Sequence, residues 1–139
     1  MPKLSGNKGE WSEIYVFLRA LAVGKLYAAD ENLNKVDDVF YNIINIVRNE
    51  NIGVLEFRVD KVTNMITVYN TETKQVLSEQ PMDVFMQEAN DLYNKIVAAN
   101  TPSFSVDETE CFLSHVGVET LKAKSSDKSD IRIKIHDIN

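Results

Sequence analysis

The chain has 139 residues, 44% hydrophobic and 26% charged, which is enough apolar material for one core of ordinary size and too little low-complexity sequence for a disordered protein. Its formal charge of −6 argues against a surface that is basic throughout, and its single cysteine, Cys111, excludes an internal disulfide and a cysteine-built zinc cage. The opening MPKLSGNKGEW lacks the apolar stretch of a signal peptide and no later run reaches membrane-spanning length, so the expectation is a single cytoplasmic domain over residues 1–139.

Trp11, Ile14, Tyr15, Leu18 and Leu21 recur at helical spacing and predict a first helix from Asn7 to about Gly24, where glycine stops it. Lys25 to Asp30 (KLYAAD) reads as a short strand before the turn-rich DENLNK. Val39 to Val47 fits a strand or an apolar helix by periodicity, and its β-branched content favours the strand. Val54 to Val59 and Met65 to Tyr69 flank the turn residues Thr63 and Asn64 as in a hairpin. Thr71 to Lys74 forms a further polar turn, and Val76 and Leu77 add a short strand before Pro81 breaks the pattern.

After Pro81, the spacing of Phe85, Ala89, Leu92, Tyr93, Ile96 and Val97 predicts a second helix that ends before Pro102. Ser105 and Glu108 match a capping box, which predicts a third, short helix from about Val106 to His115, stopped by Gly117. Cys111 sits directly before Phe112 and Leu113 and is expected in the core. In Ser129 to His136, Ile131, Ile133 and Ile135 alternate with Arg132, Lys134 and His136, the pattern of a strand with one buried face. These elements predict an α+β fold, with an N-terminal helix and further helices packed on a mixed or antiparallel sheet.

Chemistry concentrates at two places. Asp130 stands at the start of the last strand, in the context KSSDKSDIRI, and Asp127 lies just before it. A metal-dependent nuclease needs hard oxygen ligands at a sheet edge to hold magnesium, with a lysine nearby. Asp130 suits the first task, although an aspartate in such a position is, taken alone, more often a turn residue. Glu10 and Glu13 are three residues apart on the first helix, so they share roughly one face and can reach a metal at the sheet edge. Lys122, Lys124, Lys128, Arg132 and Lys134 crowd the C-terminal segment while acids dominate earlier, so the basic footprint is local. There is no glycine-rich phosphate loop and no pair of histidines spaced for zinc. Trp11, on the apolar helix face, is expected to anchor the core, and His115 and His136 to serve packing or surface.

Gly6 to Tyr15 (GNKGEWSEIY), the following LRALAVGKLYAADENLNK, and the terminal KAKSSDKSDI resemble the HpaII-type restriction endonucleases over essentially the whole chain. The resemblance implies an incomplete restriction-endonuclease-like core of the PD-(D/E)xK kind, which joins an aspartate on one strand to an acid-x-lysine motif on the next. It implies magnesium-dependent hydrolysis of double-stranded DNA at a short palindrome, CCGG for the namesake of the family. In that scheme Asp130 with Glu10 or Glu13 holds the metal, and Lys122, Lys124 and Lys128 contact phosphates. Only nine residues follow Asp130, so the catalytic lysine has no counterpart here. The chain is therefore expected to be the N-terminal portion of a longer enzyme, inactive alone, and able to pair with its missing half or with itself through an open sheet edge. The rival expectation, suited to the acidic charge, is a non-catalytic protein-interaction domain.

Overall fold

The structure, a computed structural model, describes residues 4–29, 32, 35–121 and 131–136. Helix α1 (Lys8–Val23) begins at a capping box: Asn7 Oδ1 accepts the Glu10 N–H at 2.8 Å, and Glu10 Oε1 accepts the Asn7 N–H at 3.1 Å. It ends at Gly24, whose φ of 71° is the left-handed cap that glycine adopts without penalty, and whose N–H donates to the Ala20 carbonyl. Its buried stripe is Trp11, Ile14, Phe17, Leu18, Leu21 and Ala22, so the apolar spacing holds and extends to Phe17.

The strands follow as β1 (Lys25–Ala29), β2 (Lys35–Glu50), β3 (Gly53–Asp60), β4 (Met65–Asn70) and β5 (Gln75–Pro81), with β6 (Ile131–His136) at the far end of the sequence. Every pairing between them is antiparallel, which settles the choice between a mixed and an antiparallel sheet. From β2 to β5 the sheet is a meander of short turns, two of them carrying a left-handed residue, Asn64 or Lys74. The sixteen-residue β2 organises the rest. Asn42 pairs with both Lys25 and His136, and Asn45 to Arg48 pair with both β3 and β6. A residue has only two backbone edges, so β1 and β3 follow each other along one edge of β2 and β6 occupies the other. An irregularity between Ile43 and Asn45 keeps both Ile43 and Ile46 on the buried face.

Helix α2 (Met82–Ala98) starts directly after Pro81 and packs beside α1, and α3 (Asp107–His115) closes one end. One face of the sheet supplies Ile43, Ile46, Leu55, Phe57, Ile66 and Val68 to the core. Phe17 meets Phe57 edge-on at 4.9 Å, and Phe85 of α2 meets Phe112 of α3 in the same manner at 4.9 Å. Trp11 is fully buried, as expected of an anchor, and its indole N–H donates to the Phe104 carbonyl at 3.0 Å. The α+β expectation therefore holds, with β2 longer at both ends than the Val39–Val47 expected.

Three local expectations do not hold. The Ser105–Glu108 capping box is not formed: α3 is preceded by Val106, which offers no side-chain acceptor, whereas a capping box does form at Asn7 and Glu10. Cys111 is exposed, because α3 turns Leu113 and Thr109 inward instead. Tyr93 and Val97 are 51% and 62% exposed, since α2 buries only the narrower stripe of Met82, Phe85, Ala89 and Leu92. Ser129 and the inward orientation expected of Ile131, Ile133 and Ile135 lie outside what is described. No helix among the described residues is long and apolar enough to cross a membrane.

Candidate active site

Helix α1 has two flanks. On one, Tyr15 stands 5.5 Å from Tyr93 between ring centroids and Arg19 reaches the Met86 sulfur, so this side faces α2. On the other, Phe17 contacts Phe57 and takes the Arg48 guanidinium at 5.4 Å from its ring centre. Glu13 lies one helical turn before Phe17 and Glu10 two turns before it, so both acids belong to the flank that turns away from α2 and overlies β2. Glu13 is exposed and holds no partner among the described residues, whereas Glu10 is committed to the helix cap.

Beneath that flank lies a buried ion pair. Arg48 Nε and Glu50 Oε2 are 2.6 Å apart, and the two residues are 1% and 4% exposed. Arg48 Nη2 donates to the carbonyls of Thr120 (2.6 Å) and Leu121 (3.1 Å). Glu50 Oε1 accepts the Glu119 N–H at 3.0 Å and the Thr120 hydroxyl at 3.2 Å. Two charges can remain buried here because each has its hydrogen bonds satisfied. The pair pins residues 119–121 to β2, and the register partner of Arg48 on β6 is Ile131. Leu121 and Ile131 are thus both held at Arg48. Leu121 in turn packs where a Cβ on Gly6 would collide with it, beside Glu10 at the start of α1.

The structure therefore gathers Glu10, Arg48, Glu50, Leu121 and the first residue of β6 at one end of β2, with Glu13 one turn further along α1. Asp130, Asp127, Lys122, Lys124 and Lys128 lie outside the described residues. Among the described residues no group of three metal-ligating side chains comes together. Arg48 and Glu50 escaped the sequence reading, although a signal was present: opposite charges two residues apart in a strand share one face, and Ile46, two residues before Arg48, marks that face as buried.

The roles of Asn7 and Glu10 are separable. Asn7→Ala is expected to cost about 1 kcal/mol through the lost helix cap. Glu10→Gln, which keeps the acceptor oxygen, is expected to leave the urea midpoint essentially unchanged. A large loss of stability in Glu10→Gln would show that its charge, and not the cap, is what the fold uses.

Acidity elsewhere collects between α2 and α3. A cavity of about 250 Å³ there is lined by Asp91, Asn94, Lys95, Val106, Glu108 and Thr109. Partial burial, reinforced by Asp91 and Glu108, raises the Glu88 carboxyl above its ordinary pKa. This corner carries a local excess of negative charge. His115 is exposed there, with Nδ1 2.9 Å from the Cys111 carbonyl, and takes no part in a cluster.

Comparison with known proteins decides the family: the HpaII restriction endonuclease family matches residues 7–139. The chain belongs to that family. The type II restriction enzyme HpaII of Haemophilus parainfluenzae is 38% identical over 136 residues, which cover 96% of this chain and 37% of that protein. The chain thus spans little more than a third of the length of this HpaII relative. No solved structure matches it. The family match encloses Glu10, Glu13, Arg48, Glu50 and Asp130 together.

Proposed function

We propose that this chain forms the N-terminal part of a magnesium-dependent type II restriction endonuclease that hydrolyses both strands of duplex DNA at a short palindrome, CCGG by analogy with the namesake of the family. The observation that carries the reading is the match over residues 7–139, which takes in both the acidic flank of α1 and the start of β6. Asp130 immediately precedes Ile131, the register partner of Arg48, and Glu13 stands on the flank over that strand with its carboxylate uncommitted. Carboxylate oxygens are the donors that a hard cation takes, so the set Asp130 and Glu13, with Glu10 as the alternative to Glu13, suits magnesium. Such an ion supplies Lewis acidity at the phosphate and lowers the pKa of bound water. The part of the protein is to fix the carboxylates and, through Lys122, Lys124 and Lys128, to hold the backbone in place.

The 139-residue chain alone is expected to leave plasmid DNA intact in the presence of magnesium, since one aspartate strand and a helix glutamate do not provide the acid-x-lysine partner of a nuclease of this type. It is still expected to bind duplex weakly, with affinity that falls steeply as salt rises. Agarose electrophoresis of plasmid with magnesium, run beside an Asp130→Ala control, checks the first point. Cutting that disappears in the control would place a complete active site within these residues.

A further inference from the structure

One face of the sheet is turned away from the helices. Along β3 and β4 the buried Leu55, Phe57, Ile66 and Val68 belong to the core, and the alternate residues Glu56, Arg58, Thr67 and Tyr69 lie half-buried or exposed on the other face. On that face Arg58 is held from two sides. Its Nε donates to Glu56 Oε1 on the same strand, and its guanidinium carbon stands 4.1 Å from the ring centre of Tyr69 on β4. Glu56 and Tyr69 are themselves register partners, so both supports come from one cross-strand pair. The Arg58 side chain is nonetheless 49% exposed. Because Glu56 takes Nε, the two amino groups at the end of the guanidinium are left over, and neither meets an acceptor among the described residues. A planar donor fork is thus fixed at its base and open at its tip.

We propose that Arg58, held in place by Tyr69 and Glu56, contacts the major-groove edge of a guanine in the bound duplex, donating from Nη1 and Nη2 to O6 and N7. The inference rests on the reading of the chain as part of an enzyme that cuts duplex DNA at a palindrome containing guanine. An open fork fits two acceptors side by side, which both a guanine edge and a phosphate present. The carboxylate decides between them. Glu56 offsets the charge of Arg58 and would repel a phosphate drawn to the same place, whereas a guanine edge carries no charge and gains two directed hydrogen bonds. The residues directly opposite Arg58, Asn45 on β2 and Thr67 on β4, are both uncharged. Strand pairing on both sides fixes the base of the fork, the condition under which a side chain reads a base edge instead of following the backbone.

The test is fluorescence anisotropy of two duplexes that carry CCGG, one natural and one with 7-deazaguanine at each guanine of that site, which lacks the N7 acceptor and leaves every phosphate in place. Each is titrated with the 139-residue chain over a range of salt concentrations without metal. The unaltered chain is expected to bind the natural duplex about fivefold or more tighter, the scale of one bidentate base contact. Arg58→Met, which removes the fork, is expected to bind both duplexes equally. Tyr69→Leu is expected to narrow the difference between the duplexes, and Tyr69→Phe, which keeps the ring, to restore it. Equal affinity of the unaltered chain for the two duplexes would overturn the contact and leave the nuclease reading standing. Undiminished discrimination in Arg58→Met would also overturn it, and a slope of log affinity against log salt lowered by about one in that variant would assign Arg58 to a phosphate. Full discrimination in Tyr69→Leu would overturn the positioning role of the ring. Absence of salt-dependent duplex binding by the unaltered chain would instead remove the reading on which the contact depends.

Discussion

Replacing Arg48 with methionine is expected to remove about 3–5 kcal/mol of folding stability, the cost of leaving one member of a buried ion pair without its partner. Glu50 would then keep a buried negative charge with only the Glu119 N–H and the Thr120 hydroxyl to stabilise it. The carbonyls of Thr120 and Leu121 would lose their donor, and Phe17 the cation over its ring. Against a total stability of roughly 5–15 kcal/mol for a domain, this loss brings the chain close to unfolding at physiological temperature. The companion variant, Arg48→Met with Glu50→Leu, is expected to recover most of the loss, because a pair of apolar side chains of similar volume removes the desolvation cost of both charges. Urea denaturation of both variants checks this through the midpoint at constant slope. A single variant as stable as the parent would mean that Glu50 finds another partner or takes up a proton. A double variant no better than the single one would assign the stability to the grip on residues 119–121.

The second large effect concerns Asp130. Fused to the remainder of the Haemophilus parainfluenzae relative, the chain is expected to cut duplex DNA with magnesium, and Asp130→Ala in that fusion is expected to lower the rate by at least about 10²- to 10³-fold, the scale seen when one fixed charge-stabilising group is removed. The reason is positional. Asp130 directly precedes Ile131, the first residue of β6, which is paired to β2 along its length, and fixed placement is what makes a charged group effective in catalysis. Glu13→Gln is expected to act in the same direction. Glu10→Gln is expected to act weakly, since that residue serves the helix cap. Single-turnover cleavage of a short duplex measures all three. Full activity in Asp130→Ala would remove Asp130 from the active site, and a larger loss in Glu10→Gln than in Glu13→Gln would exchange the roles of the two glutamates.

Much of the local structure could be read from the chain alone. The apolar spacing from Trp11 to Leu21 and the glycine at position 24 define α1, and the β-branched runs and polar turns define the meander, because these features act over a few residues and depend only on backbone preference and periodicity. Glu10 and Glu13 could be placed on one face for the same reason. Periodicity fails where the choice depends on what lies opposite. It could not show that Tyr93, Val97 and Cys111 turn outward, since that depends on how wide a stripe α1 and the sheet leave to be covered. A capping-box pattern at Ser105 and Glu108 was likewise no guarantee, because the backbone there places Val106 at the helix start.

Only the tertiary structure could decide that β6 returns to β2 across eighty intervening residues, that Arg48 and Glu50 meet the carbonyls and N–H groups of residues 119–121, and that Lys61 reaches Asn42. Each of these is a contact between segments distant in the chain. Its energy depends on burial and on the low local dielectric that packing creates, quantities that no short stretch of sequence contains.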